Sequence, residues 1–320
     1  MSSAVSSAVS SRPPVLDRRS ALRGLAALTA VLTATACGGG AVAPVRLAAG
    51  EPGGFFWDFC GLLAAAADRA GSVHLEPVVT GGSAENLQML HSGHADLAMS
   101  LSDTAQDDTA ADGLAAVGRV YENYFQVAVL EESPIGSPAE LAGRVVSVGA
   151  PGSGATRLSE RVLAAVGLAA PSAVRRVVQS MHAAASALKA GSVDAVMWAG
   201  GLPTPAFANI GGIRLLDLTT VVDTLRLRHG TTYEAVTVPA DVYGSHPAVT
   251  TVGVANLLLA RGDVAGSVVA TMVDLLLDQP ASLVPAQAIG SQFLDAQSLI
   301  QTGAVPLHPG ASAEYRRRHG

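Results

Sequence analysis

Residues 47–67, LAAGEPGGFFWDFCGLLAAAA, and residues 146–166, VSVGAPGSGATRLSERVLAAV, share one plan. Each is an apolar run short enough for a buried strand, then a Gly-rich turn, then an amphipathic helix. A second matched pair follows: LHSGHADLAMS around Asp96 and LKAGSVDAVMW around Asp194. Asp96 lies as far beyond Gly54 as Asp194 does beyond Gly152. Both segments read as a helix end, a Gly stop, an Asp and a short buried strand. Two similar α/β units, each with a Gly turn opening a helix, predict two lobes facing one another across a ligand cleft.

Working outward, the first unit predicts a strand over 44–49, a helix over 57–70 stopped by Gly71, and a strand over 74–79. A second Gly turn, Thr80-Gly81-Gly82-Ser83, leads into a helix over 84–91 with Ser83 as its N-cap, then a strand over 97–101. The second unit repeats this with strands at 144–148, 174–178, 195–199 and 213–218 and helices over 156–166 and 183–190. Residues 102–113, SDTAQDDTAADG, read as a solvated loop or short helix, with Asp103 the one exception. The β-prone run YENYFQVAVL within 117–130 would carry the chain into the second lobe, and 233–239 would bring it back. Residues 255–287 read as two helical stretches packed on the first lobe. The expected organisation is lobe 1 from 44–128 plus 236–320 and lobe 2 from 129–235, an α/β architecture with doubly wound sheets.

The first 37 residues read as an export segment. Arg18-Arg19-Ser20-Ala21-Leu22-Arg23 is a twin-arginine pattern, and GLAALTAVLTATA behind it is too short and weak to span a bilayer. Ala36-Cys37 followed by a Gly-rich linker over 38–43 resembles a bacterial lipoprotein cleavage site, with Cys37 as the lipid-bearing first residue. That predicts an exported protein, held at the outer face of the cytoplasmic membrane or free in the periplasm. Cys60 is then the one remaining thiol, on the apolar face of the first helix, where it reads as a small core residue. Charged residues are 14% of the chain, the net charge is -6, and no basic face appears, so nucleic acid is excluded as a partner. The run Arg316-Arg317-Arg318-His319 reads as a solvated tail.

Gly149-Ala150-Pro151-Gly152-Ser153-Gly154-Ala155-Thr156 comes close to a phosphate-binding loop, but Ala155 stands where the lysine belongs. Without that ammonium, nucleotide chemistry is excluded. What remains is a helix N-terminus whose free amides suit an anion such as a carboxylate, with Ser153 and Thr156 adding hydroxyls. Gly53-Gly54-Phe55-Phe56 and Thr80-Gly81-Gly82-Ser83 offer the same backbone geometry. The eight His are scattered without a metal shell, and Ser153 lacks both the nucleophile-elbow frame and a base, so neither metal, cofactor nor enzymatic chemistry is expected. Trp198, ahead of Gly200-Gly201, belongs either to the core or to the cleft edge.

At these residues the chain resembles the TAXI family, the extracytoplasmic solute-binding proteins of TRAP-type transporters. The matching stretches are GEPGGFF, TGGSAENL, LHSGHADLAMSLSD, SPIGSPAEL with GRVVSVGAPGSGATR, GSVDAVMWAGGLPTPA, VPADVY and PLHPGASAEYRR, in family order from Leu47 to Arg317. The resemblance implies a two-lobed periplasmic-binding-protein fold of type II that hinges shut on a small carboxylate or amino acid and passes it to a membrane permease. It implies a pocket lined by Gly54, Phe55 and Phe56, by Thr80, Gly82, Ser83 and Asn86, by Asp103, and across the cleft by Ser153, Gly154, Thr156 and Gly200. A lipoprotein that reports its solute to a membrane signalling protein is the alternative, and an enzyme on a two-lobed fold the remote one. The family's G-G-T-Y-Y segment is Gly53-Gly54-Phe55-Phe56-Trp57 here, Leu101 replaces a customary Gln, and the proline customary after Tyr121 is absent. Lost hydroxyls and added rings predict a ligand less polar than glutamate.

Overall fold

The computed structural model describes residues 43–108, 113–288 and 294–319. The export segment and Cys37 lie outside the described residues. Leu47, Ala48 and Ala49 are fully buried, so the first strand is covered on both faces, as a central parallel strand must be. In chain order the first half runs β1 (Val45–Gly50), α1 (Phe55–Ala70), β2 (Leu75–Val79), α2 (Ser83–His91), β3 (Leu97–Leu101) and α3 (Ser102–Gln106). The long β4 (Leu114–Leu130) follows. The second half runs β5 (Val145–Ser147), α4 (Gly154–Ala165), β6 (Arg175–Val177), α5 (Met181–Lys189), β7 (Ala195–Gly200), α6 (Pro205–Ala208), β8 (Ile213–Leu215), α7 (Thr219–His229) and β9 (Tyr233–Val238). The chain ends with β10 (Val249–Arg261), α8 (Gly266–Asp278), α9 (Ala296–Leu299) and α10 (Pro309–His319).

β1 lies between β2 and β3 and parallel to both; β5 stands in the same relation to β6 and β7. The matched aspartates explain why. Asp96 Oδ2 accepts the Arg46 amide at 2.9 Å while its own amide donates to the Arg46 carbonyl at 2.9 Å. Asp194 does the same to Val145, at 2.8 and 2.7 Å. Each Asp thus pins the start of its strand against the first strand of its half.

The two half-sheets are joined by β4 and β10, which run antiparallel to each other over most of their length. The C-terminal half of β10 pairs with β3 and its N-terminal half with β9; the C-terminal half of β4 pairs with β7 and β8. Register shifts at Asn256/Leu257 and Leu258/Leu259 sit where β10 passes from one half to the other, as bulges do where a strand must bend. Here two expectations are corrected. The return strand is β10, not 233–239, and residues 255–261 are strand rather than helix. The apolar run Leu257–Ala260 has no alternation to separate the two conformations, and its pairing with β3 and β4 decides.

Cys60 is fully buried in the first core, with Phe59 and Leu63 of α1, Met272, Val273 and Leu276 of α8, and Tyr315 of α10. Burial pushes its thiol pKa well up, so it packs as an inert side chain. Arg316–His319 form the last turn of α10 rather than a free tail. Arg318 Nε meets Asp274 at 2.9 Å and its Nη1 meets Asp278 at 2.7 Å, because α10 packs along the acidic edge of α8. Ser83 is not the N-cap of α2. Gly82 takes that place at φ 121°, and Ser83 Oγ instead accepts the Leu101 amide at 3.0 Å.

Candidate functional site

The Gly turns of the two halves meet. The amides of Ala84 and Glu85, in the first turn of α2, donate to the Gly152 carbonyl at 3.0 and 3.1 Å. A Cβ on Gly81 would stand 2.0 Å from the Pro151 carbonyl oxygen, and one on Gly154 2.7 Å from Ser83 Oγ, so both glycines are required by the closeness of the turns. Beside this seam, Glu51 Oε2 accepts the Met181 amide at 3.2 Å, and the Leu202 amide donates to the Gln287 carbonyl at 2.7 Å.

Next to these contacts lies a cavity of about 670 Å³, part of it open to solvent. The first half supplies Gly50, Glu51, Gly54, Phe55, Phe56, Gly81, Gly82, Ser83 and Leu101. The second supplies Gly149, Ala150, Ser153, Gly154, Ala155, Gln179, Met181, Ala184, the β7 stretch Val196–Ala199, and Phe207 of α6. Asn123, on the shared strand β4, also lines it. Among the described residues Glu51 is the only ionisable side chain on this wall. The first-turn amides of Phe55 and Phe56 in α1, Ser83 in α2, and Gly154 and Ala155 in α4 make no hydrogen bond within the described chain. Three helix N-termini therefore offer unpaired donors and positive dipole ends to one space. Ser153 caps α4 by accepting the Thr156 amide at 3.2 Å, which fixes that turn.

Of the residues expected in the pocket, Gly54, Phe55, Phe56, Gly82, Ser83, Ser153 and Gly154 line this cavity. Phe55 contributes backbone, since its ring packs on Tyr121 at 4.9 Å in the first core. Thr80, Asn86, Asp103, Thr156 and Gly200 are not on the wall; they brace it. Thr80 Oγ1 donates to Asn86 Oδ1, and Asn86 Nδ2 donates to the Met99 carbonyl at 2.7 Å and the Ala49 carbonyl at 3.3 Å, tying β3 to β1. Thr156 Oγ1 donates to the Ala150 carbonyl at 2.8 Å. Gly200 leaves room for Thr204 Oγ1, which would stand 2.8 Å from a Cβ there.

Asp103 is fully buried away from the cavity. Its Oδ2 accepts the Tyr233 hydroxyl at 2.9 Å and lies 3.5 Å from Arg161 Nη1. Asp107 meets Arg157 at 2.8 Å and also meets Arg161. These contacts link α3 of the first half to α4 and β9 of the second. Burial pushes the Asp103 carboxyl pKa up, opposed by the Tyr233 hydroxyl and Arg161, which favour its charged form.

The wall also contains residues the sequence reading passed over: Glu51, Asn123, Gln179, Met181 and Phe207. Trp198 belongs to core and wall together. It is 3% exposed, stacks on Phe207 at 3.8 Å, and donates from Nε1 to Thr204 Oγ1 at 3.0 Å. Among the described residues no group of three His, Cys, Asp or Glu side chains gathers as a metal site, and no helix is long and apolar enough to cross a membrane.

Comparison with solved structures agrees with this architecture. A protein of Bordetella bronchiseptica RB50 is 19% identical, with 86% of this chain and 88% of that one aligned at a TM-score of 0.53. A structure described as a periplasmic transporter is 15% identical, with 78% and 88% aligned at a TM-score of 0.51. At such identities the likeness is one of fold, the mixed α/β architecture described above. Residues 47–317 match the NMT1-like family, a span that takes in both halves and the shared strands, and the chain belongs to that family.

Proposed function

We propose that this protein is an exported receptor that captures a small carboxylate or amino acid between its two lobes and delivers it to a membrane permease. One observation carries the reading: unpaired amides at the N-termini of α1, α2 and α4 line one cavity whose wall, among the described residues, holds no cationic side chain. Backbone donors and helix dipoles are a sufficient anion site without a lysine or arginine. The wall is otherwise rich in Phe56, Met181, Val196, Trp198 and Phe207, which suits a guest with an apolar part.

Binding without chemistry fits the groups present. Ser153 Oγ is engaged with the Ala150 carbonyl at 2.8 Å and the Thr156 amide, and among the described residues no base is bonded to it. The pocket assignment covers Gly54, Phe55, Phe56, Gly82, Ser83, Ser153 and Gly154, with Thr80, Asn86, Asp103, Thr156 and Gly200 holding the walls. The seam between Gly152 and α2 would form as the lobes close on the guest. The lipid anchor at Cys37, the division into 44–128 plus 236–320 and 129–235, and a TRAP-type permease as partner rest on the sequence and on the TAXI resemblance.

A thermal-shift screen of amino acids and small carboxylates tests this. Capture requires that at least one compound raise the unfolding midpoint, since a guest at a hundredfold its Kd stabilises the folded state by about 2.7 kcal/mol. A screen in which none does so contradicts the proposal.

A further inference from the structure

Glu51 sits in the turn between β1 and α1, in the cavity wall. One carboxylate oxygen takes the Met181 amide, and the other has no partner among the described residues. The turn does not demand this charge, because the corresponding residue of the second half, between Gly149 and Pro151, is Ala150. A lone carboxylate on the wall of an anion site repels any guest that is only an anion.

Asn123 is the second observation. It is 4% exposed and lines the cavity from β4. Its Nδ2 donates to Asn256 Oδ1 at 3.1 Å, and its Oδ1 has no partner. A buried amide oxygen left unpaired carries a desolvation cost that a ligand donor would remove. Turning both amides over keeps their mutual bond and presents a donor instead, so Glu51 fixes the sign of the guest. Gln179 Nε2, also on this wall, is a buried donor without a partner and suits an anionic oxygen. Among the described residues no lysine, arginine or histidine on the wall would meet a second carboxylate.

We infer that the guest is a zwitterion with an apolar side chain, a free α-amino acid of the leucine or phenylalanine type, whose ammonium is taken by Glu51 with Asn123 beside it. This rests on the capture reading above and narrows it. The carboxylate goes to the helix amides and Gln179, and the side chain goes among Phe56, Met181, Val196 and Phe207. Glutamate is disfavoured because its second carboxylate would be buried there unpaired.

Titration calorimetry of the full chain separates the possibilities with five probes: L-leucine, L-phenylalanine, L-glutamate, 4-methylpentanoate (leucine without its amino group) and 3-methylbutylamine (leucine without its carboxylate). Leucine or phenylalanine should bind, with 4-methylpentanoate and glutamate weaker by about tenfold or more. Glu51→Gln keeps an oxygen for the Met181 amide and should melt as the parent does without ligand. It should weaken the amino acid by about tenfold and bring 4-methylpentanoate to within about threefold of it. The inference is overturned if 4-methylpentanoate or glutamate binds as tightly as leucine and phenylalanine in the parent chain, or if Glu51→Gln leaves the ratio unchanged; the capture reading then stands. Binding of none of the five overturns the inference and leaves the capture reading to the thermal-shift screen, whereas binding of 3-methylbutylamine alone overturns both.

Discussion

Gly50-Glu51-Pro52-Gly53-Gly54 and Gly149-Ala150-Pro151-Gly152-Ser153 occupy the same place in the two halves, and they differ where it matters for chemistry. Their first and fourth residues share positive φ: 144° and 114° at Gly50 and Gly149, 79° and 73° at Gly53 and Gly152. Each turn opens a helix, and each half pins its central strand with an aspartate, Asp96 or Asp194. What the halves share makes the backbone bend and the strands register. What they do not share, Glu51 against Ala150 and Gly54 against Ser153, makes one wall carry a charge and the other a hydroxyl cap. The shared frame thus yields a two-sided cavity, because the turns are free to differ once glycine and aspartate have fixed the fold.

The comparison breaks most readily at the seam. Gly81→Ala places a methyl group against the Pro151 carbonyl, and overpacking of this kind costs about 1–3 kcal/mol. Because the cost falls on lobe contact, ligand affinity should drop by about tenfold to a hundredfold while far-UV circular dichroism stays unchanged. Unaltered affinity would show that the turns need not touch. The aspartates come next. Asp96→Ala and Asp194→Ala each strand a backbone amide, so each should lower stability by about 1–2 kcal/mol in urea unfolding, and by similar amounts. A loss confined to one of them would break the equivalence of the halves.

The strands that join the halves make a third test. Glu122 lies on β4, almost fully buried, with Arg119 Nη2 at 2.7 Å. Burial raises its pKa from 4.5 to about 7, partly offset by Arg119. A carboxyl whose folded pKa lies above its unfolded one contributes stability that is complete below about pH 4.5 and is lost as pH rises through about 7. Across that window the parent should lose on the order of 2 kcal/mol relative to Glu122→Gln, measured by denaturation at each pH. Equal pH dependence in both proteins would remove Glu122 as the cause. The smallest effect belongs to Ser153→Ala, which removes the α4 cap and should cost about 1 kcal/mol. A variant as stable as the parent would mean that the cap adds nothing to the fold.

Much of this frame was legible in the residues. The strand, Gly turn and helix at 47–67 and 146–166 could be read because apolar runs, glycines and helical spacing all agree. β10 could not, since Leu257–Ala260 is uniformly apolar and only its partners β3 and β4 make it a strand. The polar positions Thr80, Asn86 and Thr156 stand within a few residues of the cavity. A sequence does not say which face of a turn they occupy, and here they point to carbonyls behind the wall. Glu51 went unseen because Gly-Glu-Pro-Gly reads as an ordinary solvated turn. Its place depends on Met181, from the other half of the chain. Asn123 left little trace, since Arg119, Glu122 and Gln126 are polar residues of the same β4, and its meaning depends on Asn256 across the sheet.

The account stands on backbone amides as the hands that hold the guest. Amide chemical shifts of the 15N-labelled chain, followed as L-leucine is added, test this directly. The largest changes should fall on Phe55, Phe56, Ser83, Gly154 and Ala155, moving downfield as an anionic oxygen engages them. Saturable binding that leaves these five amides unmoved, with shifts gathered elsewhere, would contradict it.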